Sequence, residues 1–413
     1  MRMENFTKNI SISMYRTLNI YILSVIYLFL IGCNKPIPKK ALKLELENIK
    51  KVEIKNEYPQ IINTSEAKDI STKQLTDCIS NIDYIALDSE HLIGEIRKMI
   101  ITESKIYIMD SFLSQQVFVF DKQGKLLFRI DEKGNGPEEF ISIWDMQVNE
   151  SKKEILLNDA LGLSYIYYST EDGSFIKRER GIQNCYLANI NNIYINMLSY
   201  GQDFNDKESW QLLITDKDSI LYKGFQLEEL QKNNFIENSI SYDFENKLIY
   251  TPTYSDTIYQ FCENISFIPK FVIKQNKSIW NKHNENMTYA EICKLIKENN
   301  YTLFTGNIID SERYMLFTTN EEYKGGIIKQ PYIWDKINKI SYRWDSKTII
   351  SKENIRDVIT IPLTSYNDRF YGIFQIGKDP ELKSISPKLA KLLPKDVENA
   401  NPIIVAYQFK DIH

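Results

Sequence analysis

Three histidines, His91, His283 and His413, are all that the 413-residue chain offers for imidazole chemistry. A Ser-His-Asp relay or a histidine-held metal would have to recruit one of them. His91 falls in a turn, His283 lies just ahead of a helical segment and His413 is the last residue, so solvated histidines are expected. Carboxylates are better supplied. Asp110, Asp121, Asp145 and Asp159 sit at the ends of strand-like segments, where such groups can assemble a calcium site or an acid/base pair. An aspartate at a strand end also caps the following turn through its own side chain, and that plainer role is the expected one. Asp110, Asp145 and Asp159 are kept as candidate ligand-binding residues. No catalytic residue and no metal ligand is assigned, and Ca²⁺ is the one cofactor the carboxylates admit. Trp144, Trp210, Trp280, Trp334 and Trp344 suit either carbohydrate stacking or buried packing, and packing is the commoner use of an isolated strand tryptophan.

The loop "DEKGNGPEEF", residues 131–140, packs Gly134, Gly136 and Pro137 together. A phosphate cradle needs glycines that lead directly into a helix whose first amides face the anion. Here the loop joins "KLLFRI" to "ISIWDMQV", both strand-like, and it reads as a corner between strands.

The elements that must position these residues are short apolar alternations between turn signals. "KIYIMD", "QVFVFD" and "KLLFRI" follow one another, with "DKQG" supplying a hairpin turn, and a second round repeats the pattern with "EDGS" in its place. The unit recurs at about 40 residues, the spacing of four-stranded propeller blades. Six blades are expected, near residues 96–131, 143–180, 184–224, 240–272, 301–344 and 357–409. An open ring would leave two bare sheet edges, so "IDYIALD", residues 82–88, is expected to complete the last blade. Asp145, just after the Gly-Pro corner, then falls on an innermost strand beside the channel. "MTYAEICKLIKEN" carries a capping-box spacing and "SISPKLAKLLPKD" a proline-led leucine stripe, which predict two short helical insertions. The fold class read from the chain is all-β, a six-bladed β-propeller closed by an N-terminal strand.

The N-terminus adds an address. "TLNIYILSVIYLFLIGC" is an apolar run ending in Gly32 and Cys33, too short for a bilayer span of about 20 residues. It resembles a bacterial lipoprotein signal, which makes residues 1–32 a signal peptide and Cys33 the lipid attachment site, with Met14 an alternative start. Lysine-rich residues 33–68 read as a flexible tether, and 69–413 as the propeller. The four remaining cysteines, Cys78, Cys185, Cys262 and Cys293, have no zinc or disulfide-scaffold spacing, and buried free thiols are expected. With 51 basic and 55 acidic residues the chain lacks the concentrated positive field that nucleic acid requires.

The run "KIYIMDSFLSQQVFVFDKQGKLLFRIDEKGNGPEEFISIWDMQV" resembles NHL-type blades, and more closely the six-bladed β-propeller lipoproteins of Bacteroidetes. "YIALD", "YSDTIYQF" and "ENANPIIVAYQFK" extend the resemblance over residues 80–410. The family pattern reads G-x-G-P-G-E-F, whereas Glu138 stands here at the third glycine. What the resemblance implies is the fold and an envelope address, with no common activity. The expected role is a lipid-anchored, monomeric, non-catalytic binding or scaffold module for an envelope protein, peptide or glycan, on the periplasmic face of the outer membrane or at the cell surface. The rival is a propeller-type hydrolase or lyase using channel carboxylates and a bound Ca²⁺.

Overall fold

"KIYIMD" and "QVFVFD" form Lys105–Asp110 and Gln116–Asp121, the two middle strands of a four-stranded antiparallel sheet bounded by Lys98–Ile101 and Leu126–Ile130. Their near-continuous apolar character has a direct cause, because both faces of this sheet are covered. Tyr107 and Met109 pack into a core shared with the next sheet, where they meet Met146, Ile155 and Leu157. Ile106 and Ile108 face the other way, onto Tyr371, Ile404 and Ala406 of the last sheet. Alternate residues of one strand thus feed two cores, which is what a ring of radially stacked blades requires.

The computed structural model describes residues 46, 48–182, 185–198, 209–227, 239–253, 255–281, 289–345, 359–374, 387–393 and 399–412. They form a six-bladed β-propeller, with blades 1 to 5 spanning residues 98–130, 143–180, 185–227, 239–274 and 303–345. Blade 6 is Pro362–Tyr366, Arg369–Phe374 and Ile403–Phe409, completed on its outside by Ile79–Ala86. That closing strand pairs antiparallel to Ile403–Phe409, from Ala86 opposite Ile403 to Ile79 opposite Phe409. Innermost strands run away from one mouth of the ring, so connections between blades and turns between second and third strands share that mouth.

The stretch expected as a tether up to residue 68 is paired from Lys50 onward. Lys50–Lys51 runs parallel to the outer strand of blade 3, Glu53–Ile54 and Gln60–Asn63 to that of blade 4, and Lys68–Ser71 to that of blade 5. The segment girdles three blades before closing the sixth. Leu46, Val52, Ile62 and Ile70 are its buried teeth, spaced among lysines and glutamates that stay in water. Pairings of only two or four residues, with four buried teeth in all, leave no periodic signal, which is why composition suggests a tether. Gly224 on blade 3 makes room for the girdle, since a Cβ there would lie 2.6 Å from Val52 Cγ2. Gly224→Ala is expected to cost about 1–3 kcal/mol by overpacking. A lower urea midpoint, with faster proteolysis before residue 71, checks this; an unchanged midpoint would contradict it.

Among the described residues three short α-helices interrupt the strands. Helix α1, Thr72–Asp77, follows the girdle under a capping box of Ser71 and Gln74. Helix α2, Tyr289–Asn299, lies where the capping-box spacing predicted it, burying Ile292 and Ile296. Helix α3 is only Pro387–Ala390, with Leu389 buried. Helix α1 is additional to the two helical insertions expected from the sequence. No helix among the described residues is long and apolar enough to cross a membrane. Residues 1–45, including Cys33, lie outside the described residues, as do His283 and His413.

Candidate functional site

Asp110 and Asp159 occupy the same place in blades 1 and 2, the last residue of the second strand, and both are fully buried. Asp110 accepts from the amides of Phe112, Leu113 and Ser114 in the turn that follows, and from Ser114 Oγ at 2.8 Å. It also takes the amides of Gly94 and Glu95, on the connection from blade 6. Asp159 repeats the arrangement with Gly162 in its own turn and Ile141 and Ser142 on the connection from blade 1. Each carboxylate staples a turn to an inter-blade connection. At the opposite mouth Asp121 caps its turn through the amides of Gln123 and Lys125, both at 2.9 Å.

Burial alone would raise the Asp110 pKa, but the amides and hydroxyl aimed at it outweigh burial and hold it below the ordinary 3.8. Asp335, buried in blade 5, is likewise lowered against burial by the Asn338 amide and by Arg313, 3.0 Å away. Both carboxylates add stability that is fully present above the unfolded value near 3.8 and is lost as pH falls through the depressed folded values. The urea midpoint is therefore expected to drop on acidification below about pH 4. Asp110→Asn is expected to flatten that acid limb, and a variant as acid-sensitive as the parent would contradict the assignment.

Asp145 lies on the innermost strand of blade 2, yet its side chain is almost wholly buried. One oxygen meets Lys98 Nζ of blade 1 at 2.7 Å and the other accepts the Leu187 amide of blade 3 at 2.8 Å. It clasps three blades together, and both oxygens are engaged. The register explains the meeting. Lys98, Asp145 and Tyr186 each pair with the penultimate residue of their blade's second strand, Met109, Asn158 and Met197. They are equivalent positions on adjacent blades.

Around this clasp stand residues that no single motif announced. Arg97, exposed beside Lys98, donates to Tyr186 Oη at 2.6 Å. Trp144 sits in a β-bulge, because the register of blade 2 slips between Ile143 and Asp145. A bulge re-aims the extra side chain, and here the indole packs edge-on to Tyr186 with ring centroids 6.4 Å apart. Trp144 is half-buried and its Nε1 has no hydrogen-bond partner, whereas Trp210, Trp280, Trp334 and Trp344 are buried. Aligning the blades on their second strands would have brought Arg97-Lys98, Trp144-Asp145 and Tyr186 together. The bulge has no sequence signal of its own.

The glycine loop is closed on itself. Gly136 donates its amide to Glu139 Oε2 at 2.7 Å, and a Cβ on Gly134 would lie 1.9 Å from that oxygen. The chain's own carboxylate occupies the place an anion would take. Arg178 and Tyr168 of blade 2 hold the backbone of Pro137, Glu138 and Glu139, fixing the corner.

The four cysteines from Cys78 onward are unpaired, with Cys185 buried and the other three partly so. Burial, followed by the nearby Asp145 charge, pushes the Cys185 thiol up, away from nucleophilic use. At the far mouth Asp243 pairs with Lys270, and Asp310 with Lys336 at 2.7 Å. Burial raises the Asp310 pKa despite that lysine. No group of three or more His, Cys, Asp or Glu side chains able to hold a metal occurs among the described residues. Of the expected ligand residues, Asp110 and Asp159 serve turns, and Asp145 organises the mouth while showing little surface of its own.

The class is defined by this architecture: a closed six-bladed β-propeller with a polar and aromatic cluster where blades 1 to 3 meet at one mouth. Residues 59–408 match the family described as "Domain of unknown function (DUF4934)", and the chain belongs to that family. No curated protein matches it. Among solved structures it is similar to a Bacteroides fragilis protein titled "Putative exported protein", with 17% identity, a TM-score of 0.67, and coverage of 85% of this chain and 100% of that one. It is more distantly similar to a member of the duf4221 family from Bacteroides vulgatus, at 11% identity and TM-score 0.49, over 80% and 97% of the two chains. Virginiamycin B lyase from Staphylococcus aureus follows at 10% identity and TM-score 0.39, over 80% and 99%. The first likeness bears on the fold alone, and no argument rests on the other two.

Proposed function

We propose that the chain is a lipid-anchored, monomeric, non-catalytic binding module of the cell envelope, whose protein, peptide or glycan partner docks at the mouth built by blades 1 to 3. The observation that carries this reading is the bulged Trp144, partly exposed and packed edge-on to Tyr186, beside the Lys98–Asp145 clasp. A rigid aromatic surface flanked by the exposed Arg97 suits recognition. Chemistry is poorly served at the same place, because Asp110, Asp145 and the Oδ1 of Asp159 are engaged by backbone amides or by a lysine, and Asp159 Oδ2 is buried beside Arg178.

The envelope address rests on the Gly32-Cys33 ending of the apolar run, and the name of the Bacteroides fragilis relative is in keeping with export. Affinity capture from native membranes under mild crosslinking is expected to retain a specific partner. Empty capture together with measured turnover on a glycan or peptide would reverse the reading in favour of a propeller enzyme. Inhibiting lipoprotein signal processing is expected to leave a heavier precursor, and an unchanged mass would remove the Cys33 anchor.

A further inference from the structure

Because the girdle is paired to the ring, it limits how far the body can stand from Cys33. Leu46, buried against Trp210 and Leu213 of blade 3, is only thirteen positions after that cysteine. Fully extended, such a length spans at most about 45 Å. A compact domain of this size is roughly 55 Å wide. Blades 3 and 6 stand on opposite sides of the ring, so the start of the girdle would be out of reach if blade 6 faced a bilayer holding Cys33. The side of blades 3 and 4 is the one within reach.

Residues 50–61 run along that side and expose apolar groups. Ile54 is 48%, Ile61 62% and Tyr58 102% exposed. Register explains the exposure. Ile62 pairs with Ile273, and both pack into the core shared with Phe304 and Phe317 of blade 5, so Ile61 points the other way. Ile54 pairs with Phe267, which packs with Ile195 and Met197 of blade 3. Both isoleucines thus lie on the blade 3 side of the outer edge of blade 4. Between the pairs Ile54–Phe267 and Gln60–Phe271 the girdle advances six positions and the blade four. The two surplus residues bulge outward, with Tyr58 and Pro59 in the loop.

We infer that this strip of the girdle lies against the phospholipid surface, with Ile54, Tyr58 and Ile61 among the headgroups and the ring standing edge-on. The inference rests on the reading of Cys33 as a lipid anchor and adds which face of the body the anchor holds to the bilayer. Reach supplies the first argument, since thirteen residues bring blades 3 and 4 to the membrane and keep blade 6 away. Chemistry supplies the second. A tyrosine between isoleucines suits the headgroup level, where the ring is buried and the hydroxyl stays wet. The charged residues from 50 to 61 are Lys50, Lys51, Lys55, Glu53 and Glu57, so no net negative charge repels phospholipid, and lysine stems can lie along the surface. The acyl anchor is the first attachment and the strip the second, which fixes orientation. Edge-on, both mouths open along the bilayer and the cluster around Trp144 stays open to a partner.

The test places the photo-crosslinker p-benzoylphenylalanine at Tyr58, or at Phe112 of the mouth, which is 71% exposed, in the full chain in its native membranes. After irradiation, trypsin releases residues 56–68 or 106–122, both separate from Cys33, and lipid adducts are read by mass on those peptides. Both side chains are exposed, so the labelled chains are expected to keep the parent's melting temperature. The Tyr58 position is expected to give phospholipid adducts at several-fold the yield of the Phe112 position. A membrane-bound chain with no lipid adduct at Tyr58, with equal yields at the two positions, or with protein adducts at Tyr58 instead would overturn the inference and leave the anchor standing. Recovery of the chain in the soluble fraction would overturn the anchor itself, and the inference with it.

Discussion

A chain that starts after Ala86 is expected to lose its cooperative unfolding transition. Such a truncation removes the fourth strand of blade 6 and, with it, the girdle of blades 3, 4 and 5. Leu46, Val52, Ile62, Ile70 and Leu75 are all buried, and their loss alone removes on the order of 10 kcal/mol of apolar burial, comparable to the whole stability of an ordinary domain. The edge of Ile403–Phe409 would be laid open, with its backbone groups free to pair with another chain. A chain starting at Thr72 keeps the closing strand but not the girdle, and is expected to fold with a lowered midpoint. Far-UV circular dichroism against temperature distinguishes the two. A cooperative melt of the shorter chain close to the parent's would show that the ring does not depend on closure.

The second large effect is expected at Asp145. Asp145→Ala strips Lys98 of its carboxylate and leaves the buried Leu187 amide without its acceptor. The expected loss is about 2–4 kcal/mol, moderated because the Lys98 side chain, 27% exposed, can return to water. Asp145→Asn is expected to cost roughly half as much, since a carboxamide oxygen can still accept from Leu187 while the charge is lost. Urea midpoints of the two variants check the order. Equal costs would mean that the charge pair contributes everything and the amide contact nothing.

Much of the architecture was legible because it rests on local rules. The blade repeat shows through alternation and through hairpins such as "DKQG", whose Gly124 takes a φ of 89°. The closing strand was legible because a ring of repeats that ends one strand short must find it elsewhere. The turn-capping role of Asp110 and Asp159 was legible too, since an aspartate at a strand end has turn amides within reach.

What stayed hidden lies between blades. The girdle buries only four apolar teeth across three blades, and its lysines mimic a solvated tether. Helix α1 did leave a signal in Ser71 and Gln74, three residues apart, but its six residues carry no stripe. Asp145 was singled out for its place beside the channel. That Lys98 and Leu187 would take up its oxygens depends on the stagger of three blades, and the bulge that re-aims Trp144 is a register slip that composition does not encode.

The most direct test of the account compares capture from native membranes by the parent and by Arg97→Ala/Trp144→Ala at matched anchor and expression. If the mouth of blades 1 to 3 is the binding surface, the specific partner retained by the parent falls roughly tenfold or more in the variant, which still melts cooperatively at a modestly lower temperature. Equal recovery of that partner by both proteins would place binding elsewhere on the ring and contradict the account.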